Sequence, residues 1–324
     1  MLLRSLKVGN LTLKNNIFLA PLAGYTSLPT RRLLRKDGVG IAYSEMVSAD
    51  GLHYNYTKSA ALLRSEDGDT PLGIQIFGST PEMIYSAYKS LNNIDFDLID
   101  INCGCSVKKV INNRCGAYLL RDPKLIHNII KTIKDNTDKP VTLKIRSGWD
   151  INSMNYLEIY DAAYSAGAAL ITLHPRTRSE LFEGRARWNH IRELKSISKI
   201  PVIGNGDIFS GDDAVRMFRE TGCDGIMLAR GVIQNPFLVE EVVAALQGIE
   251  YKPPLFTDRL FRLKEHIKGY VECFGETKGI KEFRKFIPGY IKGIKNGSKF
   301  RTQLNTIDNP DQFLRIIDVI IDAT

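Results

Sequence analysis

The chain has 324 residues, of which 44% are hydrophobic and 25% charged, a composition typical of a globular protein with a large core. No apolar run reaches the roughly 18 residues that a membrane-spanning helix needs, and the first residues lack the apolar stretch of a signal peptide. Basic residues outnumber acidic ones by 44 to 36, and the resulting formal charge of +8 suits a phosphate-bearing partner.

Short apolar runs alternate with helical patterns along the first 250 residues. The runs cover residues 16–20, 40–45, 72–77, 98–102, 141–146, 169–174, 201–205 and 225–229. A hairpin is predicted ahead of them at residues 6–14, with Gly9 and Asn10 at its turn. Helices are predicted over residues 81–91, from 123 to about 136 and from 210 to about 222, since each follows a capping residue. Eight strand–helix units predict an α/β fold of the (β/α)8 TIM-barrel type, and an open doubly wound sheet is the alternative.

The pattern changes after residue 247. Pro253 and Pro254 interrupt the chain, and two consecutive prolines cannot continue a helix. Beyond them only helical patterns follow, over residues 258–274, 278–295 and 310–322. We therefore expect a barrel domain over residues 1–250 and a small helical domain over residues 255–324.

Positive charge is concentrated in one segment of the helical domain. Between residues 278 and 301, eight basic residues accompany one acid, Glu282, so this segment carries +7 and the rest of the chain +1. The basic residues are Lys278, Lys281, Arg284, Lys285, Lys292, Lys295, Lys299 and Arg301. Such concentration is typical of a nucleic-acid contact, and a solvated helix face is the alternative. Tyr290 and Phe300 could also contact RNA, although apolar packing is the favoured role of both.

Small or polar residues follow every predicted strand at its C-terminal end, where the active face of such a barrel is built. The candidates are Pro21, Ala23, Gln75, Asn102, Cys105, Lys144, Arg146, His174, Arg178, Asn205, Gly206, Asp207, Ala229 and Arg230. Each residue alone has a structural explanation, such as a satisfied interior amide, a turn glycine or a buried thiol. The second strand ends in Ser44, Glu45 and Met46, so such residues recur at all eight strand ends, and this recurrence instead predicts a functional face.

The loops after the seventh and eighth strands predict a phosphate site. The backbone N–H groups of residues 205–207 and 229–230 would point at the anion, with the Arg230 cation beside it. Lys144 and Gln75 could stabilise negative charge on a flat heterocycle, and Gln75 could also form hydrogen bonds with its edge. Because no G-x-G-x-x-G turn links a strand to a helix, a dinucleotide on a Rossmann domain is not supported. The predicted cofactor is therefore FMN rather than FAD or NAD.

The cysteines favour a reducing compartment. The five cysteines are Cys103, Cys105, Cys115, Cys223 and Cys273, an odd number that forms no disulfide framework, so we expect a cytoplasmic protein. Cys103 and Cys105 are not followed by a second pair at zinc-ligand spacing. We therefore expect no metal site.

Several stretches of the sequence resemble the bacterial tRNA-dihydrouridine synthase family, over essentially the full chain. They are residues 20–26, 44–46, 100–110, 116–123, 143–149, 174–178 and 204–207. The run from Asn102 to Cys105, followed by a lysine and then by Gly-Ala-x-Leu-Leu, is the most specific of them. The resemblance implies a barrel joined to a helical tRNA-binding domain, in agreement with the break and the basic helices described above.

The resemblance also implies a reaction. An FMN-dependent enzyme would reduce the C5–C6 double bond of a D-loop uridine in tRNA, with NADPH as the external reductant and the uridine extruded from its local structure. Cys105 would be the acid that protonates carbon 5, with Cys103 and Cys115 as competitors for this role. Asn102 would bond to the uracil edge, and Arg146 and Arg178 would bind the nucleotide or its phosphate.

The same resemblance assigns the cofactor contacts. Gln75, Lys144 and His174 would face the flavin ring, with a capped strand-end imidazole as the alternative for His174. The ribityl phosphate would lie at Asn205, Gly206, Asp207, Ala229 and Arg230. Ser106 departs from the family, which usually has proline after the catalytic cysteine, so the loop would be less restrained. Two other functions stay open, an FMN barrel that reduces a free small molecule and a tRNA-binding protein without redox chemistry.

Overall fold

The structure, a computed structural model, describes residues 1–54, 56–293 and 297–322. Its strands are β1 (Leu6–Val8), β2 (Leu11–Leu13), β3 (Ile17–Leu19), β4 (Ile41–Tyr43), β5 (Val47–Ser48), β6 (Leu72–Phe77), β7 (Leu98–Cys103), β8 (Val141–Arg146), β9 (Leu170–His174), β10 (Val202–Asn205) and β11 (Gly225–Leu228). Each predicted run lies on one of these strands, and most bounds agree within one or two residues.

The strands β3, β4 and β6–β11 form a closed parallel barrel. Each pairs in parallel with the next in chain order, and the ring closes where Ile226 of β11 pairs with Ile17 of β3. The short strand β5 adds only to β6. Among the described residues this is the eight-stranded closure predicted from the sequence, so the open-sheet alternative is excluded.

Helices surround the barrel and continue beyond it. They are α1 (Leu28–Lys36), α2 (Ala49–Tyr54), α3 (Tyr56–Ala60), α4 (Pro81–Lys89), α5 (Lys108–Asn112), α6 (Pro123–Lys134), α7 (Tyr156–Ser165), α8 (Trp188–Ile197), α9 (Gly211–Thr221), α10 (Arg230–Gln234), α11 (Leu238–Gln247), α12 (Phe256–Phe274), α13 (Glu276–Phe283), α14 (Ile287–Ile291), α15 (Gly297–Thr306) and α16 (Pro310–Asp322). Short 3-10 turns occur at Ala61–Leu63, Gly116–Arg121 and Arg284–Phe286. The side chains of Thr80, Asp122 and Ser210 cap α4, α6 and α9, as their positions before the helical patterns predicted.

Two apolar layers hold the barrel together. The larger one lies between the outer faces of the strands and the surrounding helices. The smaller one fills the barrel interior near the N-terminal ends of the strands, where Phe18, Ile41 and Tyr43 meet side chains from the β1–β2 hairpin. Val8 and Leu13 of the hairpin are fully buried in this layer. The hairpin therefore closes one end of the barrel, and the opposite end carries the polar strand termini.

The C-terminal helices have an apolar core of their own. It includes Phe283 and Tyr290, both fully buried, which confirms packing rather than RNA contact for Tyr290. The predicted helix over residues 278–295 is wrong as one continuous element. It is divided into α13, a 3-10 turn and α14, since Pro288 starts a new helix at its second position. The predicted end of that segment, Lys295, lies outside the described residues, and helix α15 was not predicted.

Polar contacts join these helices to the barrel. Arg262 of α12 donates to the Asp37 carboxylate after α1 and to the carbonyl of Pro236. His266 and Tyr270 of α12 bond to Thr30 of α1. No helix in the described part of the chain is long and apolar enough to cross a membrane.

Candidate active site

A cavity of about 250 Å³ opens at the C-terminal ends of the barrel strands. Most of the residues predicted to be functional line it: Pro21, Ala23, Gln75, Asn102, Cys105, Lys144, Arg146, His174, Asn205, Gly206, Asp207, Ala229 and Arg230. The remaining predicted residues, Arg178, Lys281, Arg284 and Lys285, do not line it. The barrel topology thus brings side chains from distant parts of the sequence to one opening, as expected of this fold.

At one side of the cavity the backbone after β10 is shaped for close approach. Gly206 has φ +115°, and a Cβ atom there would lie 2.8 Å from Cδ2 of His174. Asp207, the next residue, also has a positive φ of 57°. Consecutive residues of this kind form concave backbone turns whose N–H groups can bind an anion. The geometry therefore fits the predicted phosphate cradle.

The side chain of Asp207 is turned away from that role. Its carboxylate accepts hydrogen bonds from both terminal nitrogens of Arg176, at 2.9 and 2.8 Å, and from the backbone N–H of Ala186 at 2.7 Å. The Arg176 side chain is 2% exposed. Arg176 and its neighbours hold the pKa of the Asp207 carboxyl below its usual range, against the effect of burial. A carboxylate would repel a phosphate, so only the Asp207 backbone could assist in binding one.

Arg230 supplies the cation of this region. Its guanidinium lies 3.5 Å from the Asp207 carboxylate and 4.2 Å from the ring centre of Phe182. Phe182 is 53% exposed and also lines the cavity. Phe182 could not be predicted from the sequence, because an aromatic residue in a polar loop carries no periodic signal. Its ring flanks Arg230, so it helps to place the cation at the rim.

Lys144 and His174 lie deeper in the cavity. Burial and the nearby Arg146 lower the pKa of Lys144 to about 8. Burial and the surrounding cations hold the pKa of His174 well below its usual value, so the imidazole is neutral at pH 7. Arg176 lies 3.3 Å from Nε2 of His174 and donates to it, which assigns the ring proton to Nδ1. Lys144 and Arg146, both on strand β8, therefore place positive charge near the neutral imidazole.

Gln75 and Asn102 are hydrogen-bonded to each other at the base of the cavity. Nδ2 of Asn102 donates to Oε1 of Gln75 at 2.6 Å, and Nε2 of Gln75 donates to the buried carboxylate of Asp100 at 2.6 Å. Oδ1 of Asn102 accepts the backbone N–H groups of Gly104 and Cys105. The sequence predicted both amides at the site but not these bonds, which depend on neighbouring strands.

Cys105 is the cysteine that reaches the cavity among the three near β7. It is partly buried, and burial raises the pKa of its thiol above the usual value, so the thiol is protonated at neutral pH. Cys103 is fully buried in the apolar layer outside the barrel, and Cys115 is 1% exposed. Neither of these two residues lines the cavity.

The predicted arginines have different surroundings. Arg146 is 3% exposed, and its guanidinium donates to the carbonyls of Gly104, Thr177 and Leu181. Burial lowers its pKa to about 10, so it remains charged at neutral pH. Arg178 lies over the Trp149 ring at 4.5 Å, outside the cavity lining. Arg146 therefore fixes the loop that carries Gly104, whatever it binds in addition.

The predicted basic residues of the C-terminal helices have different surroundings. Nζ of Lys285 lies 3.5 Å from the position a Cβ atom on Gly24 would take, beside the loop after β3. It pairs with Glu282 at 2.8 Å. Arg284 is paired with Asp308 at 2.7 Å, and Lys281 is exposed. Of the three, Lys285 is placed where a ligand over the cavity could contact it.

No group of three or more His, Cys, Asp or Glu side chains in the described ranges is placed to hold a metal ion. Cys103 and Cys105, the pair considered from the sequence, are turned to different surroundings, the apolar layer and the cavity.

Comparison with known proteins relates the whole chain to one family. The family model described as dihydrouridine synthase matches residues 18–323. A relative from Pseudomonas putida, named tRNA-dihydrouridine synthase B, is 36% identical over 307 residues, which cover 94% of this chain and 91% of the relative. A protein of the same name from Pasteurella multocida is 36% identical over 311 residues, covering 95% and 93% of the two chains.

Solved structures share the architecture at lower identity. Histamine dehydrogenase from Rhizobium sp. 4-9 superposes with a TM-score of 0.57 and 16% identity, over 83% of this chain. The chain spans about half, 51%, of that longer protein. At this identity the similarity concerns the barrel fold alone.

Proposed function

The chain belongs to the dihydrouridine synthase family, and from this premise we propose that it reduces the C5–C6 double bond of a D-loop uridine in tRNA. One observation carries the proposal beyond family membership. A single cavity combines a concave backbone turn at Gly206, a partly buried cation at Lys144 and a protonated thiol at Cys105. A flavin-dependent reduction of a uracil ring would use these elements as an anchor for the flavin phosphate, a stabilising charge and a proton donor.

FMN is the proposed cofactor. Its phosphate would bind the backbone of residues 205–207 and 229–230 beside Arg230, and its ring would lie near Lys144, Gln75 and His174, with Pro21 and Ala23 on the small-residue loop. The positive φ angles of Gly206 and Asp207 shape a concave backbone turn beside Arg230, and this shape supports a phosphate at that place. When bound, FMN would supply hydride that originates from NADPH.

Cys105 is the proposed acid. Its thiol lines the cavity and is protonated at neutral pH, so it can give a proton to carbon 5 of the uracil while carbon 6 is reduced. The bonds from Asn102 and Arg146 to the loop around Gly104 hold the thiol at the rim. Asn102 would also contact the uracil edge, and Arg146 and Arg178 the nucleotide or its phosphate.

The helical domain over residues 255–324 is the proposed tRNA-binding part, and residues 1–250 the catalytic barrel. Lys281, Arg284 and Lys285 would neutralise phosphates of the tRNA, with Lys285 beside the loop after β3. A uridine would be extruded to reach the cavity. The proposed reaction takes place in the cytoplasm and needs neither a metal nor a membrane.

A reconstitution assay tests this function. The purified protein should be yellow, or should become so when FMN is added. With NADPH and tRNA from cells that lack the gene, it should add 2 daltons at one mapped uridine, an addition that reflects two hydrogens across one double bond. Turnover of free uridine without tRNA would favour the small-molecule reductase. A colourless protein that binds tRNA but takes up no FMN would favour the binding protein without redox chemistry.

A further inference from the structure

A buried carboxylate lies below the cavity and is not part of the proposed reaction. Asp100 is 1% exposed and belongs to β7, two residues before Asn102. Its two oxygens are both used: Oδ1 accepts from the Thr142 hydroxyl at 2.6 Å, and Oδ2 accepts from Nε2 of Gln75 at 2.6 Å. Burial raises its pKa to about 6, so the carboxyl is mostly ionised at pH 7. An ionised carboxylate in this place can only accept hydrogen bonds, and burial makes it costly to leave either oxygen without a donor.

The hydrogen bonds from Asp100 to Cys105 form a directed chain. Gln75 donates to Asp100 and accepts from Asn102, and Asn102 in turn accepts from the backbone N–H of Cys105 at 2.9 Å and of Gly104 at 3.1 Å. Gln75 is fully buried and Asn102 is 6% exposed. The two side-chain bonds of the chain are buried and the two bonds to the loop are partly buried, so a misdirected amide would find few other partners.

The two ends of the chain decide the orientation of both amides. An ionised carboxylate can only accept, and a backbone N–H can only donate. Between such ends each amide has one satisfactory orientation, with nitrogen toward Asp100 and oxygen toward Cys105. A side-chain amide is otherwise nearly symmetric in shape, so the acceptor oxygen of Asp100 supplies the polarity that the shape does not.

We infer that Asp100 is a positioning residue for Cys105: it orients the Gln75 and Asn102 amides, so that Asn102 presents an oxygen to the loop and holds the thiol at the cavity rim. This inference rests on the proposed function for its importance to the reaction. Its structural part concerns the loop alone and can be tested without tRNA or NADPH.

The test measures the rate at which iodoacetamide alkylates each cysteine of the protein as purified, by peptide mass spectrometry. Asp100→Leu removes the acceptor and should free the loop, so that Cys105 is alkylated roughly tenfold faster, the change expected when one shielded hydrogen bond no longer restrains it. The buried Cys103, Cys115 and Cys223 should stay protected. Cys273, on the C-terminal helices, is the reference in the same sample.

Two further variants separate positioning from general destabilisation. Asp100→Asn can still accept from Gln75 while its amide nitrogen donates to the Thr142 hydroxyl, so it should keep the Cys105 rate within about twofold of the wild type. Thr172→Val changes a buried residue of the neighbouring strand β9, whose hydroxyl has no hydrogen-bond partner among the described residues, and should leave the rate unchanged. If Asp100→Leu does not fold, Gln75→Met interrupts the same chain and should give the same selective increase.

The outcomes are distinct. A Cys105 rate that stays at the wild-type value in both Asp100→Leu and Gln75→Met overturns the inference. So does a parallel rise at all the buried cysteines, since that pattern means global opening rather than release of one loop. If the wild type makes no dihydrouridine but the selective increase is found, the proposed function fails while the positioning of Cys105 stands.

Discussion

Replacing Gly206 by alanine tests the anion cradle directly. Its φ of +115° is strained for any residue with a side chain, at a cost of about 1–3 kcal/mol. The new methyl group would also lie 2.8 Å from the His174 ring and 3.3 Å from Cβ of Ala186, and such overpacking costs about 1–3 kcal/mol more. We therefore expect Gly206→Ala to lower the free energy of unfolding by about 2–6 kcal/mol. The displaced turn should lose at least one charge-assisted hydrogen bond to a phosphate, which corresponds to flavin binding weaker by roughly tenfold or more.

The matched control is Gly222→Ala at the end of α9. Gly222 also has a positive φ, +69°, but no atom lies within 4 Å of the position its Cβ would take. This variant should lose only the backbone term, about 1–2 kcal/mol, and keep its flavin affinity. Urea denaturation gives the stability of both variants, and titration of flavin fluorescence gives the affinity. Equal stabilities together with unchanged flavin binding in Gly206→Ala would refute the close-approach argument.

Three further predictions concern single groups. Cys105→Ser should reduce formation of dihydrouridine by roughly 10²–10⁴-fold and leave NADPH-dependent flavin reduction intact, since only the proton donor is lost; wild-type turnover in stopped assays on tRNA would contradict the acid role. Lys285→Gln should weaken tRNA binding and make the slope of log K against log salt less steep by about 0.9. Lys131→Gln, near the C-terminal end of α6, is the control and should change neither quantity. Filter binding at several salt concentrations measures both. The raised pKa of Asp100, about 6, means that the folded state binds an extra proton between pH 4 and 6. The free energy of unfolding of the wild type relative to Asp100→Asn should therefore fall by about 2–3 kcal/mol as the pH rises through that window. Parallel urea midpoints of the two proteins at pH 4 and 7 would contradict this prediction.

The barrel could be predicted because the sequence patterns that indicate its strands and helices each span only a few consecutive residues. Alternating apolar runs and capped helices repeat eight times, and a cap such as Thr80 acts on residues only three positions away. The C-terminal helices were harder, because Pro288 divides a pattern that is otherwise continuous in its apolar spacing. Propensity alone did not show whether that proline begins a helix or follows one.

The site could be predicted only in outline. Strand ends place residues such as Lys144 and Gly206 at one face by topology alone, so their location follows from the fold. The hydrogen-bond and ion-pair partners that these side chains find on neighbouring strands and loops do not follow from the fold. The pairing of Asp207 with Arg176, which leaves only the Asp207 backbone for the predicted phosphate contact, joins positions 31 residues apart. The exposure of Phe182 likewise depends on how its loop returns to Arg230.

The β1–β2 hairpin has a consequence for the order of events. Because it closes the barrel at the N-terminal ends of the strands, the cavity that the described residues form opens at the opposite face. A nicotinamide donor and a tRNA nucleotide are both too large to pass through the packed interior. The two ligands of the proposed reaction would thus have to enter through the same opening, one after the other.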